Sequence, residues 1–391
     1  MRIILGIYVI FISSVSLAQG PIVEIGVLPQ EVSETSGLVF FNNRVITHND
    51  SGGAAALFEI DTVSREITRT ITIANATNTD WEAISQDENY IYIGDFGNNL
   101  GTRQDLTIYR VAKLDYLDND TATAEAIFFS YEDQTDFTDT GNSDWDAEAF
   151  FVLEDEFIIL TKQWKSEGSV AYAVPKALGN HTATRRDAVE NIGLVTDADY
   201  NAADGTLIVL GYSNFLMPFV RIYNSTAMTI FPDEFIAVLL EIGLAQVEGV
   251  TNDGLGNYFI SSELFTRQSP NITSLSRLFK FSNNEEVLPE PEPEPEPEPN
   301  PSPEPNPPPD ETEEELLIYN DGGNGGIRYV INSENNINGT RIYDVNGKTV
   351  WEQSAVDIER EGVISEHIAS SIYYFVVYFD NSVRSKAFAV Y

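Results

Sequence analysis

Acidic residues recur at one point of a repeated apolar segment in this 391-residue chain. Asp80-Trp81-Glu82-Ala83-Ile84, Asp146-Ala147-Glu148-Ala149-Phe150 and Gln246-Val247-Glu248-Gly249-Val250 each lead into a β-rich run. Thr35-Ser36-Gly37-Leu38 stands at the same point of a first unit, and Asp197-Ala198-Asp199-Tyr200 is a degenerate copy. A carboxylate repeated at the start of successive strands predicts a ring of acids around an axis. Such acids cannot all stay ionised cheaply. Some must be protonated, pair with a cation such as Lys162, or bind a metal. Asp, Glu and Asn oxygens without nearby His or Cys suit Ca²⁺ far better than Zn²⁺. The candidate Ca²⁺ ligands are Glu82, Glu148, Asp199 and Glu248, joined by Asp50 and Asp95 from the ends of second strands. The bland alternative is that each acid accepts backbone N–H bonds from a neighbouring sheet and locks sheet to sheet.

Other residues carry less chemistry. His48, beside Asn49-Asp50, has the side chain of a general base, but a lone His at a strand end more often lines a channel. Gly94-Asp95-Phe96-Gly97-Asn98-Asn99 and Asp50-Ser51-Gly52-Gly53 read as turns. Trp81 and Trp145 precede acid motifs and read as packing between sheets, with sugar stacking as the functional option. The chain has no G-x-S-x-G elbow, no P-loop and no H-E-x-x-H.

The elements that must position these acids are strands. Between residues 21 and 285 almost no helical periodicity is visible, and the strands fall into five groups with a period near 50 residues. The fifth group is one strand short, while Ile22–Val27 precedes the first repeat without a group of its own. A first strand that completes the last sheet closes a ring. The prediction is an all-β chain with a five-bladed β-propeller over 21–285, or a six-bladed one given the poorly assigned stretch from Asp118 to Asn142. A pair of β-sandwiches is the competing reading and leaves the repeat unexplained.

Residues 1–19 read as a signal peptide: Arg2, a short apolar run, then small residues. Residues 286–315 alternate Pro with Glu and end in an acidic run. They read as a stiff, extended, disordered linker. Residues 316–391 read as a separate tail of alternating strands. There is no cysteine, which excludes disulfides, a thiolate nucleophile and Cys-based zinc sites. The formal net charge of −39 argues against nucleic acid and anionic membrane surfaces as partners. No later segment reads as a membrane span.

The tail resembles the C-terminal sorting domain of the type IX secretion system of Bacteroidetes. The residues that carry this are Arg341-Ile342-Tyr343-Asp344-Val345-Asn346-Gly347-Lys348-Thr349-Val350, Ile372-Tyr373-Tyr374-Phe375-Val376-Val377 and the terminal Ser385-Lys386-Ala387-Phe388-Ala389-Val390. The resemblance implies a small β-sandwich for 316–391 and export through the periplasm to the outer-membrane surface or beyond. It also implies recognition by the type IX machinery, with Tyr343, Asp344, Gly347 and Lys386 in the signal. The body resembles a family of secreted propellers without an assigned activity, through Asp80 to Ile84, Tyr92 to Asn98, Asp146 to Ala149 and Thr161-Lys162. It is more distantly similar to phytase-like, SdiA-regulated and lactonase propellers, several of which use Ca²⁺. The basic residues that grip phosphate in phytases are scarce here.

These readings give a leading expectation of a ligand- or protein-binding module with an acidic, Ca²⁺-binding channel. The alternative is a Ca²⁺-dependent hydrolase of a phosphoester, ester or lactone, with the channel carboxylates on the metal. A glycosidase using two of the acids is a third reading, and it requires one of two carboxylate separations.

Overall fold

The structure, a computed structural model, describes residues 22–282 apart from 140, 241 and 269–270, and, with short gaps, 316–390. The expected signal peptide, the linker and Gly347 lie outside the described residues. The regular secondary structure described is almost entirely strand, and no described helix is long and apolar enough to cross a membrane.

Five antiparallel sets of strands make up the body. The first runs Thr35–Phe41, Arg44–Asn49, Ala56–Ile60 and Ile67–Ile73, with the short Thr121–Ala122 parallel on its outer edge. The second runs Trp81–Gln86, Tyr90–Asp95, Thr107–Ala112 and Ala124–Tyr131. The third runs Ala147–Leu153, Glu156–Thr161, Ser169–Pro175 and Gly179–Val189. Their outer strands pair in parallel from Ile127 opposite Gly179 to Tyr131 opposite Ala183, so the two sets join as one eight-stranded sheet. The fourth runs Leu194–Asn201, Thr206–Tyr212, Pro218–Asn224 and Phe235–Leu239. The fifth runs Val247–Asn252, Asn257–Ser262 and Arg277–Ser282, and its missing strand is Val23–Val27, paired through Val23 opposite Lys280.

The first strand of each set touches the first strand of the next, and the fifth touches the first again. All five line one cavity of about 310 Å³ through residues in their C-terminal halves, among them Phe40, Gln86, Phe151, Asn201 and Asn252. Every such strand carries a bulge near its start. Residues Glu82, Glu148 and Glu248 are each skipped by the register with the second strand, as is Thr196 in the fourth set. In the first set the slip covers Gly37-Leu38. A bulge gives one strand an extra residue and re-aims its side chain. The repeated acid is therefore the bulge residue.

Apolar layers lie between successive sets. Phe96, Phe150, Phe157 and Tyr172 fill the space between the second and third. Phe151, Leu160, Val195 and Leu207 fill that between the third and fourth. The outer strand of the third set is Gly179–Val189. Its alternate residues face solvent, and Asn, Thr and Arg there hide the apolar signal. The stretch after Lys113 holds a one-turn helix, Lys113–Asp118, and then Thr121–Ala122.

The C-terminal strands form two further sheets. One is Leu316–Asp321, Gly326–Ile331 and Glu361–Ile364. The other is Thr349–Ser354, Ile337–Asp344, Ser371–Phe379 and Val383–Val390. Ile318 and Tyr329 from the first share a core with Ile342, Phe375 and Phe388 from the second.

Candidate functional site

The bulges gather carboxylates at the N-terminal ends of the inner strands. Oxygens of Glu82, Asp146 and Glu148 lie within 4.8 Å of one another, and so do those of Asp50, Asp80 and Glu82. Glu82 thus belongs to two triads. All of Glu82, Asp146 and Glu148 are buried, whereas Asp50 and Asp80 are half-buried and form the open side. Gly97 backs the junction. A Cβ there would stand 2.2 Å from Glu82 Oε1 and 2.5 Å from Asp80 Oδ2, so the cluster needs glycine at this wall.

Lys162, at the end of the second strand of the third set, is embedded among these acids and is itself buried. Its ammonium bonds the Glu148 carboxylate and donates to the Tyr212 hydroxyl at 3.2 Å. It also lies 4.6 Å from the centre of the Trp164 ring. Gln246 donates to Tyr212 at 3.0 Å, and the Tyr212 hydroxyl helps to lower the Glu248 pKa against the effect of burial. Asp146 accepts Asn98 N–H and Trp164 Nε1–H, each at 2.7 Å.

The electrostatics follow from crowding. Burial, with Asp50 and Glu148 nearby, holds the Glu82 carboxyl well above the usual range. Burial pushes Glu148 and Glu248 up likewise, and Lys162 opposes it in both. Asp80 is raised to about 7 by burial and then by Asp50 and Asp146. Glu263, half-buried just beyond the second strand of the fifth set, is raised to about 8 by burial and by Asp50. Burial works against the charge of Lys162, yet Glu148, Tyr212 and Glu248 hold its pKa above the usual value. One embedded ammonium cannot balance this many carboxylates. The rest of the charge must be met by protons or by another cation. The buried acidic groups could hold a metal ion.

The remaining expected ligands have other partners. Asp199 lies three residues past the bulge, on the wall of the cavity at the other end of these strands. Its Oδ2 accepts the N–H and the Nδ2–H of Asn252 at 2.7 and 2.6 Å. Asp197 does the same work one turn of the pleat earlier, accepting Val250 N–H at 2.7 Å and Ala198 N–H at 2.8 Å. These two acids lock the fourth set to the fifth. No backbone N–H bonds the carboxylates of Glu82, Glu148 or Glu248 among the described residues. Asp95 is paired with Arg103 at 2.9 Å and accepts Asp80 N–H at 3.1 Å, so it braces the cluster from outside. Where the fourth set would carry the equivalent acid, Thr196 donates to Val247 O instead. Ser36 of the first set donates to Glu82 O at 2.8 Å.

No repeated motif in the sequence marks Glu263 or Tyr212, which fall at second-strand ends. His48 is fully buried, its Nδ1 is 3.0 Å from Asn49 O, and its ring meets Trp81 edge-on. Burial lowers its pKa to about 4, so it is neutral and packed. Tyr343 and Asp344 end the strand Ile337–Asp344 opposite Tyr374 and Tyr373, and Lys386 pairs with Phe375.

No protein-family model matches the chain, and no curated protein matches it. Among solved structures it is similar to the PQQ-bound aldose sugar dehydrogenase of Streptomyces coelicolor, at 7% identity and a TM-score of 0.38, over 68% of this chain and 98% of that one. It is similar to a GH43_1 enzyme of Xanthomonas citri at 9% identity and a TM-score of 0.38, over 66% and 89% of the two chains. It is also similar to PorZ of Porphyromonas gingivalis, an essential bacterial surface component of the type IX secretion system, at 12% identity and a TM-score of 0.31. That match covers 91% of this chain and 45% of PorZ. Likenesses this distant leave activity open.

Proposed function

We propose that the body is a five-bladed β-propeller that binds a hard divalent cation, best read as Ca²⁺, at one end of its axial channel. In this reading the protein is a binding module for an extracellular or surface ligand. One observation carries the cation reading: two carboxylate triads share the bulge residue Glu82, and the carboxylates of Glu82 and Glu148 accept no backbone N–H among the described residues, unlike those of Asp197 and Asp199. The oxygen-only donor set favours Ca²⁺ over softer metals. The cycle of five inner strands, closed by Val23–Val27, supports the blade count. Export as a surface or released protein rests on the signal-peptide pattern of 1–19 and the sorting-domain resemblance of the tail, a β-sandwich in this reading, with the type IX machinery as its partner.

The test is a thermal melt of chelator-treated protein with and without Ca²⁺. A ligand that binds only the native state must raise the midpoint, and no shift at millimolar Ca²⁺ overturns the proposal.

A hydrolase is the second reading, because Asp80 and Glu263 are half-buried and titrate near neutrality, where proton transfer is efficient. Turnover of an ester, lactone or phosphoester that is lost in Asp80→Asn and Glu263→Gln would favour it.

A further inference from the structure

The strand Ser371–Phe379 is apolar at successive positions, although side chains alternate between the faces of a sheet. Tyr373, Phe375, Val377 and Phe379 enter the tail's own core. Tyr374, Val376 and Tyr378 therefore face the other way, and Tyr343 on the neighbouring strand joins them opposite Tyr374. A strand apolar on both faces belongs to a sheet covered on both faces.

The cover comes from the body, from the turn that follows Thr206–Tyr212. Met217 packs against Tyr343, Tyr374 and Val376, with Leu244 beside them. The Phe215 ring centre is 4.6 Å from that of Tyr343, with the planes 30° apart. Tyr374 donates its hydroxyl to Pro218 O at 3.2 Å. The turn is built to present this knob. Ser213 N–H bonds Met217 O at 3.0 Å, and Leu216 N–H bonds Ser213 O at 2.8 Å. Leu216 sits at φ +61° with its side chain in the body core, so Phe215 and Met217 on either side project outward. A bulky residue in the left-handed region is strained and persists only where the surroundings fix it.

We propose that the Phe215–Met217 knob and the tail face of Tyr343, Tyr374, Val376 and Tyr378 are an intramolecular dock. It holds the tail on the body in solution. The two belong to one chain, so docking is an intramolecular event and a modest contact suffices.

Small-angle X-ray scattering of the full chain tests this, comparing wild type with Phe215→Ser and, from the tail side, Val376→Ser. Phe215 is 42% exposed even when docked, so its replacement leaves the body folded, which circular dichroism verifies. The expected result is a compact wild type and a radius of gyration larger by about 5 Å or more in both variants, because undocked units joined only through the chain separate. A wild type as extended as the variants, or variants as compact as the wild type, overturns the proposal.

Discussion

Lys162 and Glu148 form a buried ion pair where the bulge carboxylates of Glu82 and Glu148 meet Asp146. The pair binds one of the acids and leaves the others to find their own counter-charge. Breaking a buried pair from one side costs about 3–5 kcal/mol, because a charge is left uncompensated. Lys162→Gln should therefore lower the melting midpoint of cation-free protein at pH 8 by roughly 10 °C, taking about 2–4 °C per kcal/mol for a body of this size. Added Ca²⁺ or a drop to pH 5 should restore most of it. Melts in the two buffers check this.

The pH dependence of the cation-free protein follows from the raised carboxyls. Asp80 at about 7 and Glu263 at about 8 hold protons in the folded state that the unfolded chain releases near pH 4 to 4.5. The folded state thus binds more protons between those values, and stability falls as pH rises. The penalty is absent below the unfolded values and is fully developed above about pH 8. The midpoint should drop by several degrees from pH 5 to pH 8 in chelator, and by much less in Ca²⁺. Melts at four pH values with each additive measure it.

The latch at Asp197 is separable from the cluster. Asp197→Ala leaves Val250 N–H without its carboxylate partner, at a cost of about 1–3 kcal/mol. Stability should fall by that amount in urea titrations, while the affinity for Ca²⁺ stays within about threefold of wild type, less than 1.4 kcal/mol.

Gly97 sets the wall behind Glu82. In Gly97→Ala the added methyl must displace Glu82 Oε1 or Asp80 Oδ2. The expected outcome is a fold that melts within a few degrees of wild type without Ca²⁺ and gains little when Ca²⁺ is added.

Much of this site was legible in the sequence. Glu82, Glu148 and Glu248 recur at one offset because a bulge at the start of each inner strand needs a residue that the pairing skips. The fourth set misled for a physical reason. Its bulge holds Thr196, and Asp197 and Asp199 are shifted along the strand to backbone-capping positions, so residue type alone placed Asp199 in the ring. Lys162 was visible as a nearby cation, but its place beside Glu148 depends on where the second strand ends. Glu263 and Tyr212 come from equivalent ends without a repeated neighbour. The parallel seam between Ile127 and Gly179 joins two outer strands distant in sequence, and no local pattern marks it.

The central claim is that the carboxylates around Glu82 hold a divalent cation. Equilibrium dialysis of chelator-treated full-length protein against micromolar Ca²⁺, wild type beside Glu82→Gln, tests it most directly. Glu82→Gln removes one acid from a crowded buried cluster, so the variant should melt at or above the wild-type midpoint without Ca²⁺. The account predicts Ca²⁺ retained by the wild type in a fixed ratio to protein and at least a tenfold weaker retention by the folded variant. Wild type that retains no Ca²⁺ above the buffer level, or a variant that retains as much as wild type, would contradict it.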